Sequence, residues 1–422
     1  MSSITPKTIQ KKSIWTILGL LALVVLMPQA TQSVVAEESN QEQVITINEN
    51  KIPYTIDSIP EEEIVLPQRE TNSTDKIFAK IEGQIPSFAG MFVDEQGKLT
   101  VYLKDPNRVS PMQVAMHLDN YLEPKDLEKG INILKGKHDW NQWVSWKSNL
   151  MDLPHKELGV TMLDIDEVNQ ELDIGLVKHN ATSIQQIEKF LKTNNIPSDL
   201  ISYVETGELV EESHGVTVSP MRGGAQLGVI GTTGYCTSGF IAERISDGLR
   251  VVTTAGHCEK NVDSSGDQTY SNPNGGSVMG GEISGTNLPG PRNSDSLLIG
   301  PSVSTNLGQL YRDGTILSIN GKVYLQLVNN SICKYGATQH EDCGSITHTD
   351  VTITTSPSFG TLWNQNIGNY VSAGGDSGGP VYRYDTSTTV SLFGTHVGTW
   401  PIGKVFSPID NIEADQGTLR VK

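Results

Sequence analysis

The chain has 422 residues, enough for two or three domains, and its 36% hydrophobic and 19% charged residues are the proportions of a chain that folds. A formal net charge of -17 argues against nucleic acid or an anionic membrane as a partner. Only four cysteines are present.

At the N-terminus, Lys7, Lys11 and Lys12 precede an apolar run of 14 residues, Ile14 to Met27, and Val34-Val35-Ala36 then offers small side chains. A basic start, a short apolar core and a small-residue exit describe a secretory signal peptide over residues 1–36. An uncleaved anchor is the alternative, but a bilayer needs roughly 20 apolar residues. No second run of spanning length follows, so the expected product is secreted and extracellular, without stable membrane insertion.

Residues 37–220 are acidic, with 32 Asp+Glu against 16 Lys+Arg, whereas Met221 onward carries 16 against 12. The segment contains no cysteine. Residues 37–75, rich in Glu, Ser, Asn and Thr, predict a poorly ordered lead-in. Residues 76–210 contain a weak repeat. Its first copy is a hairpin, Met91–Val93 and Leu99–Leu103 around Asp94-Glu95-Gln96-Gly97, then a helix from Ser110-Pro111 to Leu118. The second is Val160–Ile165, Leu172–Leu176 and a helix from Ser183, where Gln186 completes a capping box and Ile184, Ile187 and Leu191 share a face. Together they predict a small α+β domain. Trp140, Trp143 and Trp146 lie between the copies at helical spacing; they are core packing, or else a carbohydrate- or partner-binding face or a docking surface.

Glu211 to Gly224 is short, polar and punctuated, as an accessible linker is, which puts a processing site near Pro220. Residues 221–422 are rich in Gly, Thr, Ser and Val, with short apolar runs such as Gly239–Ala242, Leu249–Thr253 and Lys322–Val328. Helical periodicity is nearly absent, so this part is expected to be all-β barrel.

Chemistry concentrates in Gly374-Gly375-Asp376-Ser377-Gly378-Gly379-Pro380. Glycines around one serine allow a tight turn whose N–H groups converge beside the hydroxyl, a site for an oxyanion. A serine needs a histidine to take its proton and a carboxylate to orient that histidine. Thr254-Ala255-Gly256-His257-Cys258 offers the first and Asn293-Ser294-Asp295-Ser296 the second, with Asp267 and Asp313 as other carboxylates to weigh. Each motif has a plain structural alternative, a turn or a buried core histidine; a binding module without activity is the alternative for the whole.

In the order His257, Asp295, Ser377, these motifs resemble the chymotrypsin-like serine peptidases, and most of all the bacterial branch of streptogrisins and alpha-lytic protease. The resemblance covers the last 200 or so residues, and more loosely the segment before them. It implies paired six-stranded antiparallel barrels after a smaller α+β pro-domain, and the disulfides Cys236 with Cys258 and Cys333 with Cys343. A metal site on these cysteines is the alternative, although no Cys-x-x-Cys spacing occurs. It implies a zymogen with Gly375 and Ser377 amides as oxyanion hole, no metal or organic cofactor, protein or peptide substrates, and a monomeric mature form. The pro-region would serve as folding template and inhibitor. Lys334 stands where relatives carry an arginine, as partner of Asp376. In the pocket Val371 replaces the aspartate of basic-specific relatives. Ser372, His396, Val397, Gly398 and Thr399 line the rest, and His396 resembles the histidine of glutamyl endopeptidases. An acidic residue before the scissile bond is therefore one expectation, and a medium apolar or aromatic residue the other.

Overall fold

The computed structural model describes residues 73–422 except 123, 207–220, 230–234, 260–268, 272–277, 286–290 and 355–359. The signal segment 1–36, nearly all of the lead-in 37–75, the linker before Pro220 and Asp267 therefore lie outside the described residues.

Residues 73–206 repeat one motif twice. In the first copy α1 (Thr74–Glu82) leads into β1 (Phe88–Val93), which pairs antiparallel with β2 (Leu99–Leu103) around a turn where Gly97 takes φ 71°. Helices α2 (Pro111–Leu118) and α3 (Pro124–Leu127) return the chain to β3 (Ile131–Lys135), parallel to β2. In the second, α4 (Trp140–Leu150) and α5 (His155–Leu158) precede the hairpin β4 (Val160–Asp166) and β5 (Glu171–Leu176). Then α6 (Ala181–Thr193) crosses back to β6 (Ile201–Glu205), parallel to β5. Ser110 and Gln113 close a capping box on α2 with Pro111 behind it. Helix α6 begins two residues before the expected Ser183.

The tryptophan stripe is core. Trp140 and Trp143 are fully buried; Trp140 packs edge-on against Phe78 at 4.7 Å, and Trp143 against Trp146 at 5.5 Å.

Beyond the linker come β7 (Met221–Gly223), β8 (Gln226–Val229), β9 (Tyr235–Thr237), β10 (Ile241–Arg244), β11 (Arg250–Thr254) and β12 (Thr269–Ser271). They are followed by β13 (Val278–Gly285), β14 (Leu297–Pro301), β15 (Thr305–Arg312), β16 (Thr315–Lys322), β17 (Ser331–Gly336) and β18 (His340–Thr354). Last are β19 (Thr361–Gly368), β20 (Pro380–Tyr384), β21 (Thr389–Trp400), β22 (Gly403–Pro408), helix α7 (Ile409–Gln416) and β23 (Leu419–Arg420).

One sheet of eight strands runs β23, β10, β11, β14, β13, β12, β8, β9. In the other, β17 pairs with β18, β18 with β19, β19 with β22, β22 with β21, β21 with β20, and β20 with β17 again. Those pairings form a closed ring, filled by Ile332, Ile346, Phe393 and Phe406. The long strand β18 also leaves the ring and pairs antiparallel with β4, Thr352 against Leu163 and Ile353 against Met162. The N-terminal layer thus adds its own strands to the edge of the C-terminal sheet.

The run Lys322–Val328 is not a strand after Lys322. Its apolar side chains answer to a different partner: Leu325 and Leu327 belong to the core of the N-terminal layer, and the Gln326 carbonyl accepts from Thr74 Oγ1 at 3.0 Å. Cys236 is bonded to Cys258, and Cys333 to Cys343, its opposite number across β17 and β18.

Candidate active site

Three segments from distant parts of the chain meet beside the closed ring. The β-branched run Val251-Val252-Thr253-Thr254 makes β11, and the chain then tightens into a helical turn, Gly256–Cys258. The bond from Cys258 to Cys236 holds that turn, while Thr254 Oγ1 donates to the Thr237 carbonyl at 2.8 Å. Asp295 lies just before β14. Its neighbour Ser294 is pinned from α7, where Asp415 Oδ2 accepts from Ser294 N at 2.8 Å and Oγ at 2.7 Å. Ser377 lies in the turn before β20.

The turn has glycines for steric reasons. Gly375 and Gly378 take φ 102° and 83°, and a Cβ on Gly378 would sit 2.2 Å from Thr254 Oγ1. The amides of Asp376, Gly378 and Gly379 donate to the carbonyls of Ala373, His396 and Asp376, which sets the turn's shape.

His257 stands between the other two side chains. Its Nδ1 lies 2.5 Å from Asp295 Oδ2, and its Nε2 lies 2.9 Å from Ser377 Oγ. Asp295 Oδ1 accepts from the His257 backbone N–H at 3.0 Å, and the Asp295 N–H donates to Ser407 Oγ at 3.0 Å. All three side chains are buried. Burial alone would raise the Asp295 carboxyl. The charge and hydrogen bonds of His257, with Arg292 behind them, outweigh that and hold it below the usual carboxylate range. Arg292, itself buried, reaches Asp295 Oδ1 at 3.5 Å.

Beneath the turn, Lys334 Nζ contacts Asp376 Oδ2 at 2.6 Å. The other oxygen of Asp376 accepts from Thr338 N and Gln339 N, at 2.9 and 3.0 Å. Asp313 is elsewhere, paired with His340 and Tyr335 at the end of β15. Cys333 and Cys343, with Glu341 nearby, are joined to one another by their disulfide.

Of the expected pocket residues, Val371 is half exposed, with its N–H on Asp342 Oδ2 at 2.6 Å. Ser372 Oγ lies 3.4 Å from Thr399 Oγ1. The Val397 carbonyl accepts from Ser377 Oγ at 3.3 Å, and Gly398 pairs with Val405 across the β21–β22 hairpin. His396 is fully buried and its Nδ1 meets Tyr370 OH at 3.0 Å. Burial, then the charges of Lys334 and Lys404, push its imidazole well below the ordinary range, so it is neutral at pH 7.

No family model matches the sequence, and no curated protein matches it. Solved structures similar in fold include a glutamic acid-specific serine protease that uses a histidine triad in substrate binding, 24% identical over 47% of this chain and 100% of that one, TM-score 0.38. Cellulomonas bogoriensis chymotrypsin is 22% identical over 48% of this chain and 97% of its own, TM-score 0.37. Thermobifida fusca protease A is 22% identical over 48% and 98%, TM-score 0.36.

Three site residues escaped the sequence reading. Arg292, three positions before Asp295, gave only that spacing as a signal. Tyr370 and Lys404 touch the expected pocket residues His396 and Thr399 through contacts that no local pattern encodes.

Proposed function

We propose that the chain is a secreted serine endopeptidase made as a zymogen, in which Ser377, His257 and Asp295 form an acyl-transfer triad. One observation carries this: the His257 ring bridges the Ser377 hydroxyl and the Asp295 carboxylate through its two nitrogens. Nε2 removes the Ser377 proton as Oγ bonds to the scissile carbonyl carbon. Nδ1–H stays on Asp295, which stabilises the imidazolium. The amides of Gly375 and Ser377 meet the developing oxyanion, each such donor contributing roughly 3 to 4 kcal/mol. Nε2 then returns the proton to the leaving amine, and water, deprotonated by the same nitrogen, releases the acyl group. Asp376, held by Lys334, keeps the turn in shape.

Residues 37–220 are the pro-region in this reading, acting as folding template and inhibitor. The addition of β4 to the edge of β18 supports that assignment. For specificity we favour an acidic residue before the scissile bond. Val371 offers no negative charge for a basic side chain, and the Ser372 and Thr399 hydroxyls give the pocket a polar wall.

The test is a cleavage profile. Purified protein is incubated with a denatured protein mixture and the fragments are sequenced by mass spectrometry, beside Ser377→Ala. Cuts after Glu and Asp that vanish in the variant are expected. Cuts after Leu or Phe would discard the acidic preference alone, and cuts that persist in the variant would discard the mechanism.

A further inference from the structure

With His396 neutral and buried, the pocket needs another source of positive charge if it is to select a carboxylate. The hairpin of β21 and β22 contains one. Thr399 faces Lys404 in register, two residues from the turn, and directly opposed residues of such a hairpin project to the same face. Lys404 Nζ donates to Thr399 Oγ1 at 2.6 Å, and that oxygen lies 3.4 Å from Ser372 Oγ.

The row is anchored to the catalytic centre at both ends. Ser372 is five residues before Ser377. Thr399 is two residues after Val397, whose carbonyl receives the Ser377 hydroxyl at 3.3 Å. Two hydroxyls and an ammonium therefore lie in one row next to the segments that carry Ser377 and its Val397 contact. The Lys404 charge is also felt inside the site, since it helps to keep the His396 imidazole unprotonated.

Resting on the acidic preference proposed above, we infer that Lys404 is the specificity-determining cation, which meets a glutamate or aspartate side chain before the scissile bond with Thr399 and Ser372 as hydroxyl partners. Lys404 is half-buried, so a carboxylate beside it is less screened than at an open surface. Asp342 Oδ2 accepts from the Val371 N–H at 2.6 Å.

The experiment compares peptides that differ only in Glu or Gln before the cleaved bond, with protein expressed from the full chain. Wild type should favour Glu, and the Glu-to-Gln ratio of kcat/KM should fall about 10- to 100-fold in Lys404→Met, the loss expected for a charge-assisted hydrogen bond. Lys404→Arg should keep most of the ratio, and Lys404→Gln serves if the methionine variant folds poorly. A purely structural lysine would slow both peptides alike and leave the ratio unchanged, which would overturn the assignment while the acidic preference stood. A wild type that cleaves Gln or Leu peptides faster than Glu would remove the preference itself.

Discussion

Lys334 Nζ lies 2.6 Å from Asp376 Oδ2, with both side chains wholly inaccessible to solvent beneath the turn that carries Ser377. The pair links β17 to that turn. A buried pair contributes little net stability against well-packed apolar residues, yet removing one partner strands a charge and costs about 3–5 kcal/mol.

Lys334→Met should therefore lower the unfolding midpoint and the peptidase rate together, because the turn loses its support. Lys334→Arg keeps the charge and should fall between the two. Denaturant unfolding alongside kcat checks this; a methionine variant with full activity and stability would end the account of the pair.

Asp295→Asn should fold and bind substrate but lose about 10⁴-fold in kcat, as the corresponding change does where an aspartate sets a histidine's tautomer. The check is kcat and KM measured separately. A loss confined to KM would point to binding, not to orientation of His257.

Asp164, Glu167 and Asp350 are buried near the contact between β4 and β18, where Lys147 Nζ donates to Asp75 Oδ2 at 2.9 Å and to the Asp350 carbonyl at 2.6 Å. Burial, then the charge of Asp75, pushes the Asp350 carboxyl up to about 8, and burial also raises Asp164 and Glu167. A carboxyl raised by folding stabilises the folded form below its ordinary pKa and loses that advantage as pH rises through the folded value. The attachment of the N-terminal layer should thus weaken from about pH 4 to about pH 8. Urea midpoints of inactive Ser377→Ala protein, with and without Asp350→Asn, measure it. The asparagine variant should gain on its parent as pH rises; a constant difference would show that Asp350 does not titrate in this window.

Much of the site was legible because its chemistry is local: the Gly-Asp-Ser-Gly-Gly turn and the Ala-Gly-His-Cys turn each contain their own geometric reason. The two hairpins showed in their apolar pattern, but β3 and β6 did not. Neither strand contains a fully buried residue, so no clean alternation marks them. The run after Lys322 looked like a strand because apolar density records burial and not the partner, which is the N-terminal core. Lys404 was silent for a related reason, since its contact with Thr399 is set by the β21–β22 pairing, and Arg292 offered only its spacing from Asp295.

Protein begun at Met221, lacking residues 37–220, should not refold to activity. Sheets rich in long-range pairings fold slowly, and such a chain exposes the β18 edge that β4 covers. Adding residues 37–220 as a separate chain should restore activity. Efficient refolding of the C-terminal part alone would refute the template role.

The most direct test of the central claim is to express the full chain, remove residues 37–220 after folding, label the product with a fluorophosphonate and map the adduct by mass spectrometry. A single adduct on Ser377, strongly slowed by His257→Ala, is predicted. No adduct, or one on another residue, would contradict a nucleophile activated by the His257–Asp295 pair.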